Sequence, residues 1–244
     1  MKMGLFDFLK NKSEPIEKKM EEKSVGEKSK NVQYLNQIQK EVHQYLKPLG
    51  FKKRGRTFNR QTENGVWQLI NFQSGQFPVG ENYVIPGIRE SLYGKFTVNM
   101  GVIIKELYEI QMKGKQKAFY QDYDCQIRTR LSHLISEDDY WWDITNESEI
   151  ISDQIIEGLN EKGISWFDMF ETREKICVNW GNIKGSSKTS KLDVALIIFQ
   201  TDKKKGGRLI QEYYNNIELH KGHKEYVKEL ANGLGLKLTE NEVG

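Results

Sequence analysis

Apolar positions recur at three- and four-residue spacing from Leu35 through Ile38, Val42 and Leu46 to Leu49, which is one face of a helix. The pattern predicts a helix that begins near Asn31 and stops at Gly50. Pro48 restricts Lys47, and Gly50 tolerates the left-handed conformation that ends helices. The period then falls to two. "FKKRGRTFNR" and "VWQLINFQ" flank "QTENG", whose Asn64-Gly65 pair suits a tight hairpin turn. In the second of these segments Val66, Gln68, Ile70 and Phe72 share one face, and Trp67 and Leu69 share the other. Both faces are partly apolar, so this strand is expected at the centre of its sheet. Residues 75–94, rich in Gly and Pro, read as a long loop. In "KFTVNMGVII" Phe96, Val98, Met100, Val102 and Ile104 oppose Thr97, Asn99 and Gly101, the pattern of a half-buried strand. "CQIRTRLSHLI", residues 125–135, alternates in the same way and is expected to be another strand.

Helical spacing returns at Ile151, Ile155 and Leu159, with a start near Asn146 or Ser148 and Gly163 as the stop. "SKLD", residues 190–193, has the form of a capping box, so "LDVALIIFQTD" is read as a buried helix, although its continuous apolar run also fits a strand. "KKKGG" is then the turn. Leu209, Ile210, Tyr213 and Ile217 stripe the next helix, and Tyr226, Val227, Leu230 and Leu234 the last. Strands followed by helices imply an α+β fold: an N-terminal helix, an antiparallel sheet of about four or more strands with a β-hairpin, packed helices and a C-terminal helical hairpin. The expected organisation has three parts. Residues 1–30 form a short amphipathic segment and a charged linker, residues 31–180 an α+β domain, and residues 187–244 a helical extension packed on it. No internal repeat is present.

Composition adds limits rather than an activity. The chain has 244 residues, with eleven Phe, eleven Tyr and five Trp, enough large anchors for a sizeable core. Lys and Arg total 37 against 34 Asp and Glu, a net charge of +3, far from the concentrated positive charge of a dedicated nucleic-acid binder. The two distant cysteines, Cys125 and Cys177, argue for reduced thiols in a cytoplasmic protein rather than a disulfide framework. No apolar run reaches the length of a transmembrane helix. At the N-terminus Leu5, Phe6, Phe8 and Leu9 share one side of a short amphipathic helix, able to touch a membrane surface weakly or to dock on protein. Residues 11–30, where Lys and Glu alternate, read as a flexible or frayed-helical linker.

Most candidate chemistry fails on spacing. "GNIKGSSK", residues 181–188, resembles a phosphate loop only superficially, because three residues rather than four separate its glycines and Gly185 is followed by Ser186. His220 and His223 lack further ligands at zinc spacing, there is no Gly-x-Ser-x-Gly elbow, and Cys125 is expected to face the interior. No metal, no cofactor and no complete catalytic set is expected. Two groups stand out. Lys52, Arg54, Arg56 and Arg60 fall at even spacing and, with Phe58, would share one face of a single strand; Arg128 and Arg130 repeat that property on another. Side by side they would form a basic face for phosphates, nucleic acid or an acidic protein surface. Alternatively they are an exposed sheet face or edge where charge deters aggregation. The second group is the aromatic and acidic loop "DDYWWD": Asp138, Asp139, Trp141, Trp142 and Asp143. Its carboxylates match no metal motif, and its tryptophans suit either a lid on the core or a binding surface.

"LKPLGFKKRGRTFNR", "GVWQLINFQ", "FTVNMGV", "CQIRTRLSHL" and "DDYWWDI" occur in this order, and together they resemble the bacterial domain-of-unknown-function family numbered 4304. The resemblance spans roughly residues 35–170. It implies an α+β fold, and it brings no established activity and no catalytic residue. The expectation is a cytoplasmic bacterial interaction module without catalysis, with a protein partner such as the toxin met by an immunity or defence-associated protein. The second expectation is nucleic-acid or phosphate-ligand binding through the basic face. An enzyme using the Asp138–Asp143 loop and the arginines is the third.

Overall fold

The computed structural model describes residues 14–75, 91–111, 115, 117–136, 138–145, 147–180, 190–216 and 220–240, with side chains from Lys30 onward and Gln111 excepted. The segment containing Leu5, Phe6, Phe8 and Leu9 lies outside these residues, as do most of the 75–94 loop, "GNIKGSSK" and Ile217. The fold is α+β. Helix α1 (Glu14–Leu46) leads into strands β1 (Lys52–Arg54), β2 (Thr57–Glu63), β3 (Val66–Ser74) and β4 (Lys95–Ile104), then α2 (Lys105–Gln111). After a 3₁₀ turn (Asp122–Asp124) come β5 (Ile127–Arg130), α3 (Leu131–Ile135) and β6 (Trp142–Asp143). The rest is helical: α4 (Ser148–Gly158), a π-helical turn (Leu159–Gly163), α5 (Ile164–Asp168), α6 (Arg173–Asn179), α7 (Ser190–Thr201), α8 (Lys203–Tyr214) and α9 (Lys221–Gly233).

The sheet is antiparallel in the order β1-β2-β3-β4-β5, with β6 also pairing β4. One face carries Phe58, Val66, Ile70, Phe72 and the even-numbered apolar residues of β4. They pack in one cluster with Leu35, Ile38, Val42 and Leu46 of α1, Ile155 and Leu159, and Phe167. That cluster extends through Ile176 and Trp180 to Leu192, Leu196, Ile210 and Val227, so the C-terminal helices share the core of the sheet. Aromatic rings form a ladder across this face. Phe58 meets Phe72 at 5.7 Å, Phe72 meets Phe96 at 5.8 Å, and Phe96 stacks on Trp142 at 5.8 Å. Such pairs add about 0.5–1.5 kcal/mol each beyond the area they bury.

The opposite face has a smaller cluster of Leu69, Ile103, Tyr108 and Tyr120, flanked by Trp67 and Cys125. β4 is buried on both sides from Phe96 to Ile104, Thr97 and Asn99 included, rather than half-buried.

Four further expectations change. α1 begins at Glu14 rather than near Asn31, so residues 14–30 of the expected linker belong to the helix. The 125–135 run is a strand only to Arg130; Leu131 begins α3, packed over the π-helical turn and β4. Gly163 does not stop a helix: it has φ −64° and ends the π-helical turn that carries the chain from α4 into α5. "KKKGG" is not a turn but the first half of α8. Asp202 alone breaks the path, and its Oδ1 accepts a hydrogen bond from the Lys205 N–H at 2.9 Å. Asp202→Ala removes that cap and is expected to lower stability by about 1 kcal/mol, measured as a shift in the urea midpoint.

Candidate functional site

The basic run does not form one strand. Gly55, at φ +60°, sits in the left-handed region that side-chain-bearing residues avoid, and it reverses the chain between β1 and β2. Lys52 is thereby paired with Asn59 and Arg54 with Thr57. Pairing across the whole sheet then defines two transverse rows. Lys52, Asn59, Leu69, Gly101 and Arg128 form one; Arg54, Thr57, Asn71, Asn99 and Arg130 form the other. Lys52, Arg54, Arg128 and Arg130 do share a face, but at opposite edges. Four strand spacings of about 4.8 Å, roughly 19 Å, separate them. Between them lie an apolar patch under Tyr120 and Cys125 and a polar patch in which Asn71 donates to Thr57 Oγ1 at 2.8 Å and Asn99 donates to Gln73 Oε1 at 2.8 Å. Cys125 Sγ occupies the space a Cβ on Gly101 would take, and burial pushes its thiol pKa well up, which keeps it unreactive.

Arg56, Phe58 and Arg60 point to the other, helix-covered face. Phe58 is fully buried. The Arg60 guanidinium lies 4.7 Å over the Phe51 ring, and it donates to Gln68 Oε1 at 2.7 Å and to the Leu49 carbonyl at 3.1 Å. Desolvation lowers its pKa, partly offset by Asp168 and Glu171. Arg56 donates to Ser74 Oγ, and desolvation lowers its pKa too. Arg60 is therefore a packing residue, not part of an outward basic face. Lys52, Lys53 and Arg54 are exposed on the β1 edge.

The structure does bring together two groups that are separate in sequence. Trp142, held in the aromatic ladder and touched edge-on by Tyr140 at 4.8 Å, fixes the "DDYWWD" loop against the edge of β4. Strand alternation sends Trp141 to the opposite side, where the Arg130 guanidinium lies 5.5 Å over its ring. Asp139 closes the cluster. One carboxylate oxygen accepts from Arg130, and the other lies 3.4 Å from Ser132 Oγ and 3.5 Å from His133 Nε2. Asp143 pairs with Lys95 at 3.8 Å, whereas the Asp138 side chain is exposed. Asp139 and Asp143 thus serve different cations.

Further along the same edge, Arg128 donates to Asp122. Tyr123 next to it is 69% exposed, with Lys117 Nζ 5.8 Å from its ring. Hydrogen bonds to Tyr108 and to buried Asp124 push the Lys117 pKa up. Asp122, Tyr123, Lys117 and His133 escape a reading of the sequence. Its only local trace of them is the "DYD" of the 3₁₀ turn, six residues before Arg128.

Chemistry elsewhere is structural. His220 caps α9, with Nδ1 accepting from the Gly222 N–H at 3.3 Å, and His223 Nε2 lies 2.8 Å from Tyr213 Oη. At the tip of the β2–β3 turn, Arg173 binds both oxygens of Glu106, at 2.6 and 2.9 Å, and reaches Glu63 at 3.1 Å and the Asn64 carbonyl at 2.8 Å. Among the described residues no three His, Cys, Asp or Glu side chains gather as a metal site, and no helix is long and apolar enough to cross a membrane.

No curated protein and no solved structure matches this chain. The sequence profile of a family described as "Domain of unknown function (DUF4304)" matches residues 42–169, from the second half of α1 to the end of α5. That span is more than half of the chain and holds the whole sheet, including the Arg130–Asp139–Trp141 cluster. The chain therefore belongs to the DUF4304 family.

Proposed function

We propose that this protein is a non-catalytic interaction module of the bacterial cytoplasm. Its partner is another protein, such as the toxin met by an immunity or defence-associated protein. The observation that carries the reading is the strip along the β5 edge, where Tyr123, Arg128, Arg130 and Trp141 stand with each arginine matched by an aspartate. Tyr, Trp and Arg are the residue types that dominate binding energy between proteins. A phosphate grip needs converging cations without local acids, and this strip has acids at both arginines.

Nucleic-acid binding is the second reading, favoured by one feature: the exposed Lys52, Lys53 and Arg54 have no ion pair among the described residues. Pull-down of the products of adjacent genes by the full chain, followed by titration, separates the two. A protein partner is expected, with Trp141→Ala weakening it at least about tenfold, about 1.4 kcal/mol, while the melting temperature stays within a few degrees. No gene-neighbour binding, together with single-stranded nucleic-acid binding that collapses as salt rises, would replace this reading by the second.

A further inference from the structure

Outside the family-matched span, α6, α7 and α8 line a pocket of about 400 Å³ that is open to solvent on one side. Cys177, Val194 and Leu209 supply an apolar wall, and Lys191, Glu212 and Tyr213 supply polar groups. Its volume is within the usual range for small-molecule sites, which pair an apolar lining with a few placed polar groups. At ~30 Å³ per water it has room for roughly a dozen waters.

The charges in the wall are not equivalent. Glu212 is engaged by Arg208 of its own helix at 3.6 Å. Tyr213 Oη is engaged by His223 at 2.8 Å. Lys191 has no ion pair among the described residues. An occupant therefore meets apolar side chains along its body and, at the solvent-exposed rim, the Lys191 ammonium, which has no ion pair among the described residues.

We propose that this cavity binds a small amphipathic anion, a carboxylate on an apolar chain of medium length, with Lys191 as its counter-charge and Val194 and Leu209 against the chain. The site is distinct from the β5 edge and independent of the function proposed for it.

Cys177 makes occupancy measurable. Its thiol lines the cavity, whereas the Cys125 Sγ packs against Gly101 on the far face of the sheet; both residues are part-exposed, so the Cys177→Ser comparison assigns the reaction. Burial raises the Cys177 pKa, so alkylation is slow enough to follow. The experiment alkylates the full chain with N-ethylmaleimide at mildly alkaline pH, reads single addition by intact mass, and assigns it with Cys177→Ser. Octanoate is expected to slow alkylation at least about fivefold and saturably, while neutral octanol slows it far less. Lys191→Met, a change at an exposed position, is expected to erase the difference between the two. Leu209→Phe narrows the cavity and is expected to weaken both. Absence of octanoate protection, equal protection by octanol, or an unchanged preference in Lys191→Met would each overturn the proposal.

Discussion

Arg173→Met is expected to destabilise the protein by about 3 kcal/mol or more, a fall of roughly 6–12 °C in Tm for a chain of this size. The guanidinium is 21% exposed and the Glu106 carboxylate 10%, so their bidentate contact is largely shielded from water. Hydrogen bonding to Glu106 is the main reason the Arg173 pKa is raised. Removing Arg173 strands the Glu106 carboxylate and frees the Glu63 carboxylate and the Asn64 carbonyl at the hairpin tip. The loss therefore comes from the groups left behind as well as from the pair. Two comparisons make this specific. Arg173→Met combined with Glu106→Leu is expected to recover much of the loss, because it removes the stranded charge. Lys175→Ala, which breaks the exposed Lys175–Glu171 pair, is expected to leave the urea midpoint where it was. A full loss persisting in the double variant would show that the bonds to Glu63 and the Asn64 carbonyl, not the stranded Glu106 charge, account for it.

Gly206→Ala is expected to cost about 2 kcal/mol, although the change favours the helix locally. Alanine is better than glycine inside a helix by roughly 1 kcal/mol. Here α8 crosses α7 so closely that a Cβ on Gly206 would overlap the backbone N and Cα of Phe199. Those atoms cannot rotate away, so the helices must separate, and overpacking of this kind costs about 1–3 kcal/mol beyond the propensity gain. Neighbouring Gly207 provides the control. A Cβ there meets only side-chain atoms, of Leu236 at 3.4 Å and of Phe199 at 4.0 Å, so Gly207→Ala is expected to be neutral or stabilising. Thermal melts of the two variants should move in opposite directions; a common direction would rule out the close crossing as the cause.

The parts of the fold that the sequence discloses are those in which one period governs a long segment. The Leu35–Leu46 stripe lies on the core, β3 is central with both faces used, and the apolar run 192–199 is the buried helix α7. Where two periods compete, the reading fails. Leu131, Leu134 and Ile135 carry helical i, i+3, i+4 spacing directly behind the alternating 125–130 run, which masks it, and they pack as a helix against β4 and the π-helical turn. Gly55 is a single glycine inside an alternating run, which gives no sign of whether it bends a strand or reverses it. The candidate site is harder still. Arg130 and Asp139 are nine residues apart with a helix between them, so their meeting depends on Trp142 returning to β4. The even spacing puts Arg60 on a basic face, yet Phe51 beneath it and the Leu49 carbonyl beside it hold it part-buried against the helix-covered side. Charge alone cannot reveal that, because the stem and planar head of arginine can be buried wherever partners are supplied.

Gly101 and Cys125 constrain each other's substitution. The cysteine fills the hollow that the missing side chain leaves in β4, so the two positions share one fixed volume. Neither can drift in size independently. A larger residue at the first position would demand a smaller one at the second, so the two must change together even though they are separated by a helix and a turn.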